Sequence, residues 1–239
     1  MAGTSGAADV DTPTWVPLIS ARAAICHSLR SDQEEGAGVT LLRSVLRMGT
    51  AACHATLDRH FAALDVSHLP DYIHLLKAQH PALRAVELSL EAAGVELILP
   101  DWQQRRRRHA LEADLAALNA SNRLSAVLVE APLIRSRAQA LGHLYVLEGS
   151  RLGAEVLLRR ALDAGDPLIS QATRFLAHGR NRPFWRGFVA LLNKEAADST
   201  FRAEAVTAAV ASFGLFLKAA EQVLGHYQAS RGRGQVSEK

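Results

Sequence analysis

Apolar positions recur every three or four residues through most of this chain. Leu42, Leu46, Thr50, His54, Leu57, Phe61 and Leu64 trace one such stripe, the spacing of one helix face. Ser67-His68-Leu69-Pro70 opens a second helix, with proline early in it, and Gly94 closes it. Pro100-Asp101 starts a third, with Asp101 as N-cap. Pro132 begins a long helix that runs to Ala164, where Gly165-Asp166-Pro167 stops it. Further helices start at Pro167, Pro183 and Asp198-Ser199, and the last runs to Gly225. No run alternates convincingly as a strand. The pattern predicts an all-α, single-domain bundle of about seven or eight helices. It spans residues 38–228, behind a mobile leader at 1–37 and ahead of a solvated tail at 229–239. Within the leader, Trp15-Val16-Pro17-Leu18-Ile19 is apolar enough to tuck against the body.

Composition supports this picture. The 239 residues are 49% hydrophobic, enough for one sizeable core. Alanine, leucine and arginine dominate, which favours helix. The net charge of +3 is too weak for a nucleic-acid binder without a concentrated basic face. Arg105-Arg106-Arg107-Arg108 is the one basic run; it reads as a solvated helix face, or as a docking patch for an acidic electron donor. Cys26 and Cys53 form no disulfide framework, and a reducing, cytoplasmic setting fits. Neither a membrane span nor a signal peptide is read from the apolar runs.

His54 lies on the apolar stripe and is expected to be buried there. A buried imidazole finds a hydrogen bond, a metal or a catalytic proton; a plain core histidine is the alternative. Asp58 is one turn further on the same side, where a carboxylate orients a metal-bound imidazole. Arg47 is seven residues earlier, about 10 Å along the helix. A guanidinium there suits a carboxylate on the edge of a bound ring.

Gly142, Gly149 and Gly153 fall within about 40° of one another on a helical wheel. Each glycine inside a helix costs about 1 kcal/mol relative to alanine. Something must approach this backbone closely: either a neighbouring helix or a planar ligand. Ser150 and Glu148 supply polar atoms nearby. Together the histidine and the glycines describe two walls of a slot for a flat molecule.

The two segments resemble heme oxygenase, specifically the bacterial type associated with phytochromes. Leu46, Arg47, Thr50, His54, Leu57 and Asp58 match that group's L-R-x-x-T-x-x-x-H-x-x-L-D stretch. Tyr145, Val146, Glu148, Gly149, Ser150, Leu152, Gly153 and Ala154 match its Y-V-x-E-G-S-x-L-G-[GA] stretch. The resemblance implies that His54 ligates heme iron, with Thr50, Asp58 and Tyr145 around the ring and Arg47 on a propionate. It implies that Gly149, Ser150 and Gly153 form the oxygen-side helix. Arg182 and Arg186, four residues apart, resemble the family's later propionate-binding helix, and Phe213 on the last helix is placed to pack against the ring edge. Cys53 points about 100° from His54 and is not a ligand.

The resemblance implies an enzyme that takes one heme as both cofactor and substrate. Oxygen and electrons would convert it to biliverdin, Fe2+ and CO. With no P-loop and no dinucleotide fingerprint, the electrons must come from an external donor, a ferredoxin or a reductase. A biliverdin-accepting phytochrome is a candidate partner; nucleic acid and membrane are not. The alternatives are a non-catalytic heme carrier or sensor on the same fold, and a heme-free helical interaction domain. A di-iron centre is disfavoured, since the chain holds no Glu-x-x-His.

Overall fold

A computed structural model describes residues 41–121 and 129–234. Eight α-helices occupy the described residues: α1 Leu42–Phe61, α2 Leu69–Ala92, α3 Trp102–Arg105, α4 Arg108–Ala117, α5 Arg137–Asp163, α6 Pro167–Gln171, α7 Phe184–Leu192 and α8 Ser199–Gly234. A 3-10 turn, Val95–Leu97, follows α2, and no strand is present among the described residues. The fold is all-α, as expected. The leader with its Trp15 segment, and residues 235–239, lie outside the described residues.

Two expected boundaries move, and one expected cap is not made. The long helix begins at Arg137 rather than Pro132, because Ser136 caps it by accepting from the Gln139 amide at 3.1 Å. Asp101 stands at the N-cap of α3, but its side chain makes no cap bond; its carboxylate accepts a hydrogen bond from Arg105 Nε at 2.7 Å instead. The last helix continues past Gly225 to Gly234. Other signals form as read. Asp166 caps α6 by accepting from the Leu168 and Ile169 amides, and Gly94 and Gly165 adopt left-handed φ values of 72° and 70° after α2 and α5.

Helix α8 is the axis of the bundle, and α1, α2 and α5 all pack on it. Its inner face is built largely from alanine: Ala205, Ala208, Ala209, Ala219 and Ala220 are buried with Phe213, Phe216 and Leu224. Small residues let backbones approach. Gly142 on α5 takes this furthest, since a Cβ there would stand 2.1 Å from the Ala205 carbonyl oxygen. The stretch Ser199–Gly225 is long and apolar enough, by length and composition alone, to cross a membrane, although no such stretch is read from the sequence. Its apolarity instead serves a helix that three neighbours cover.

Candidate functional site

Helix α1 runs beside α8 in the same sense, with Gly49 against Val206, His54 against Phe213 and His60 near Glu221. Leu42, Leu46 and Thr50 are buried, as the stripe predicts. There the burial stops. His54 is 53% exposed rather than buried, on a turn of α1 where Ala51, Ala52 and Ala55 are exposed as well. Its ring stands edge-on to Phe213, with centroids 5.9 Å apart, and Phe213 itself is buried. Asp58 Oδ2 lies 2.9 Å from His54 Nδ1. The carboxylate on Nδ1 fixes the orientation of the ring. Arg47 is exposed on the same helix.

Tyr145 ties α5 to α1. Its phenol is hydrogen-bonded to the Thr50 hydroxyl, which donates onward to the Leu46 carbonyl at 2.7 Å. Burial raises the phenol's pKa, while the Thr50 bond and the nearby Arg43 and Arg47 charges pull it down. One turn beyond this joint stand His54 on α1 and Gly149 on α5. At Gly149 the nearest atom to a built Cβ is in the Trp185 ring at 3.7 Å; at Gly153 nothing lies within 4 Å. So the three glycines divide. Gly142 serves close helix packing, Gly149 faces the Trp185 ring at van der Waals distance, and Gly153 borders open space.

The outer side of that α5 turn rests on ionic groups. Arg105, Arg107 and Arg108 are all buried, contrary to the expected solvated face or docking patch. Carboxylates that follow different stretches of sequence draw them in. Arg105 donates to Glu148 Oε2 at 2.7 Å, and Arg108 to both oxygens of Glu91 at 2.7 and 2.9 Å. Glu87 accepts from the amides of Arg107 and Arg108 at 2.6 and 3.1 Å. Arg151 grips Glu148 from α5 itself. Arg107 reaches α5 directly, donating to the Leu147 carbonyl at 3.0 Å and to Ser150 Oγ at 2.5 Å. Desolvation first, and the Arg151 charge second, lower its pKa to about 9.

Arg182 and Arg186 do not form a one-turn pair, because Pro183 is the N-cap of α7 and Arg182 precedes the helix. Arg182 turns to Gln104 Oε1 at 3.2 Å; Arg186 is exposed on α7. Between them in sequence, Trp185 enters the site, where sequence reading did not place it. Its ring is 6.0 Å from Tyr145 and 6.0 Å from the Arg43 guanidinium. An aromatic at the start of an apolar helix was the only signal available for it.

The described residues thus bring together an exposed histidine whose Nδ1 is held by Asp58 and, one turn beyond the Thr50–Tyr145 joint, a glycine-bearing stretch of α5. Comparison with known proteins says which family this arrangement belongs to. The sequence profile of the heme oxygenase family matches residues 40–222, and the chain belongs to that family of heme-degrading enzymes. It is 34% identical over 146 residues to a heme oxygenase of Xanthomonas campestris pv. campestris (strain 8004), covering 61% of this chain and 86% of that one. Among solved structures, the NO- and CO-bound heme oxygenase of Neisseria meningitidis superposes with a TM-score of 0.64 at 25% identity, over 78% of this chain and 94% of that one. The heme complex of heme oxygenase-1 from Synechocystis sp. PCC6803 shares the fold, with a TM-score of 0.60 at 18% identity over 83% and 99% of the two chains.

Proposed function

We propose that the slot between α1 and α5 binds one heme as both cofactor and substrate, and that its products are biliverdin, Fe2+ and CO. The observation that carries this reading is His54. Its Nδ1 is fixed by Asp58 while its ring stays open to solvent beside Phe213. A histidine held in one tautomer and exposed in an apolar setting suits an axial ligand better than a core packing role. The open space at Gly153 fits a ring lying against the α5 backbone, with the Trp185 ring beside Gly149 as its neighbour.

Bound heme would supply the oxygen and redox chemistry, and the protein supplies orientation. His54 fixes the ring from the α1 side. Arg47 pairs with a propionate, with Arg186 and Arg182 as the further basic groups at the rim. Thr50 and Tyr145 close the inner end of the slot. Gly149 and Gly153 keep the α5 wall close and low, so that a small molecule on that side is confined towards the ring edge. The Ser150 hydroxyl donates its single proton to the Leu147 carbonyl at 2.7 Å and accepts from Arg107. Its remaining lone pair therefore accepts, and holds a water by that water's own proton. Proton delivery falls to such a water rather than to Ser150 itself.

Electrons come from an external donor, a ferredoxin or a reductase, and a phytochrome is a candidate acceptor of the biliverdin. The test is to add heme to the purified protein, then reductant and oxygen. The Soret band should form and then give way to biliverdin absorption. A Soret band that persists would make the protein a carrier or sensor; no Soret band at all would sink the reading.

A further inference from the structure

The glycines that open the slot create a mechanical problem. Gly149 has no side chain of its own to pack on the slot side, where the nearest group is the Trp185 ring, and glycine is the loosest residue in a helix. The hydrogen bonds that hold its turn come from behind. The structure assigns Arg107 as the residue that positions the Leu147–Ser150 turn of α5, and so sets the height of the wall above the ring. This assignment rests on the reading of α5 as the oxygen-side wall.

Three observations carry it. First, Arg107 is almost wholly buried, and its side-chain hydrogen bonds among the described residues go to this turn: to the Leu147 carbonyl at 3.0 Å and Ser150 Oγ at 2.5 Å. Second, its own backbone is anchored elsewhere, on α2, through the Glu87 carboxylate at 2.6 Å. The guanidinium lies over the Phe175 ring, 5.1 Å from its centroid. Arg107 is thus a strut between α2 and α5. Third, the neighbouring arginines meet carboxylates in direct ion pairs: Arg105 with Glu148, and Arg108 with Glu87 and Glu91. Arg107 instead gives its side-chain hydrogen bonds to a carbonyl and a hydroxyl, and the Glu87 and Glu148 carboxylates act on its guanidinium through their charge alone. A buried cation on neutral acceptors is an expensive way to stabilise a core. It is a good way to fix two acceptors on one turn, because the planar fork holds them at a set angle.

Ser150 is the second half of the device. Its hydroxyl bridges Arg107 and the Leu147 carbonyl. Removing either partner should free the same turn, so the two changes should not add.

Amide hydrogen exchange in the apo-protein reads this directly, alongside the biliverdin isomer ratio from single turnover of the heme complex. Arg107→Lys keeps a charge but loses the fork; Ser150→Ala removes the bridging hydroxyl and leaves the guanidinium in place. Each should speed exchange across 148–153 by roughly tenfold, the loss expected for one hydrogen bond. Exchange of the α2 and α8 core amides should stay as in the parent. The isomer mixture should broaden in both, and the double variant should go no further than the larger single change. Unchanged exchange at 148–153 in Ser150→Ala would overturn the assignment. So would additive effects, or an equal rise at every core amide in Arg107→Lys, which would make Arg107 a general stabiliser. Failure of heme binding is a separate outcome: it removes the proposed function while the apo-protein exchange still decides what Arg107 does.

Discussion

Asp58 Oδ2 accepts at 2.9 Å from Nδ1 of His54, one turn back on the same helix. Because the pair is half-exposed, its contribution to folding is small. Its effect is on the ring: it selects the tautomer and fixes the face that Nε2 presents. Oriented in this way, a ligating histidine loses about tenfold or more in affinity when its partner is removed. Asp58→Ala should therefore weaken heme binding by about that factor in a Soret titration. His54→Ala should abolish the ligated spectrum, and added imidazole should restore it. An unchanged Soret maximum in His54→Ala would remove the axial assignment.

Arg47 is exposed and close enough to Tyr145 to lower its pKa. In complex with a propionate it gains a charge-assisted hydrogen bond. Arg47→Ala should cost about tenfold in heme affinity, and more mixed biliverdin isomers are expected as the ring gains freedom to turn. Titration and product chromatography check both. Parent-like values in each would make Arg47 a surface residue only.

The glycines give a paired prediction. Gly142→Ala drives a methyl group onto the Ala205 carbonyl and should destabilise the protein by about 2 kcal/mol or more. Gly153→Ala meets open space and should stabilise the apo-protein by up to about 1 kcal/mol. Gly149→Val and Gly153→Val should keep the fold and reduce biliverdin formation. Urea unfolding separates the two classes, and equal destabilisation at 142 and 153 would contradict the open slot.

His143 is buried on α5, its Nδ1 2.6 Å from Ser212 Oγ on α8. Burial pushes its pKa from 6.5 down to about 4. The unfolded chain therefore binds the proton more readily than the folded one. The stability this residue contributes is present above pH 6.5 and is lost as pH falls towards 4. The shift corresponds to at most about 3 kcal/mol. Urea midpoints at pH 7.5 and pH 5 should fall for the parent and fall less for His143→Gln; equal slopes would exclude His143 as the source.

Much of the fold was legible in the sequence because it depends on short-range rules. The 3.6-residue period, the proline starts at Pro70 and Pro167, and the left-handed glycines at Gly94 and Gly165 act within one or two turns. The site was partly legible for the same reason: His54 and Asp58 share one helix, so their meeting follows from a spacing of four. Ser136 outcompeted Pro132 as a helix start because a side-chain cap satisfies amides that a proline only avoids exposing.

What lay beyond one helix was decided by packing. Gly142, Gly149 and Gly153 share a face of α5, and nothing in their spacing says that the first meets the α8 backbone while the last meets open space. Thr50 and His54 share a stripe, yet one is buried and the other exposed. Arg105, Arg107 and Arg108 read as a solvated run because the carboxylates that bury them belong to α2 and α5, distant in sequence. The sequence by itself determined the helices, their period and the local histidine–aspartate pair, since these are set by interactions within a turn. Only the tertiary structure decided which side of each helix faces a neighbour, open space or a buried counter-charge, because that depends on where elements far apart in the chain come to rest.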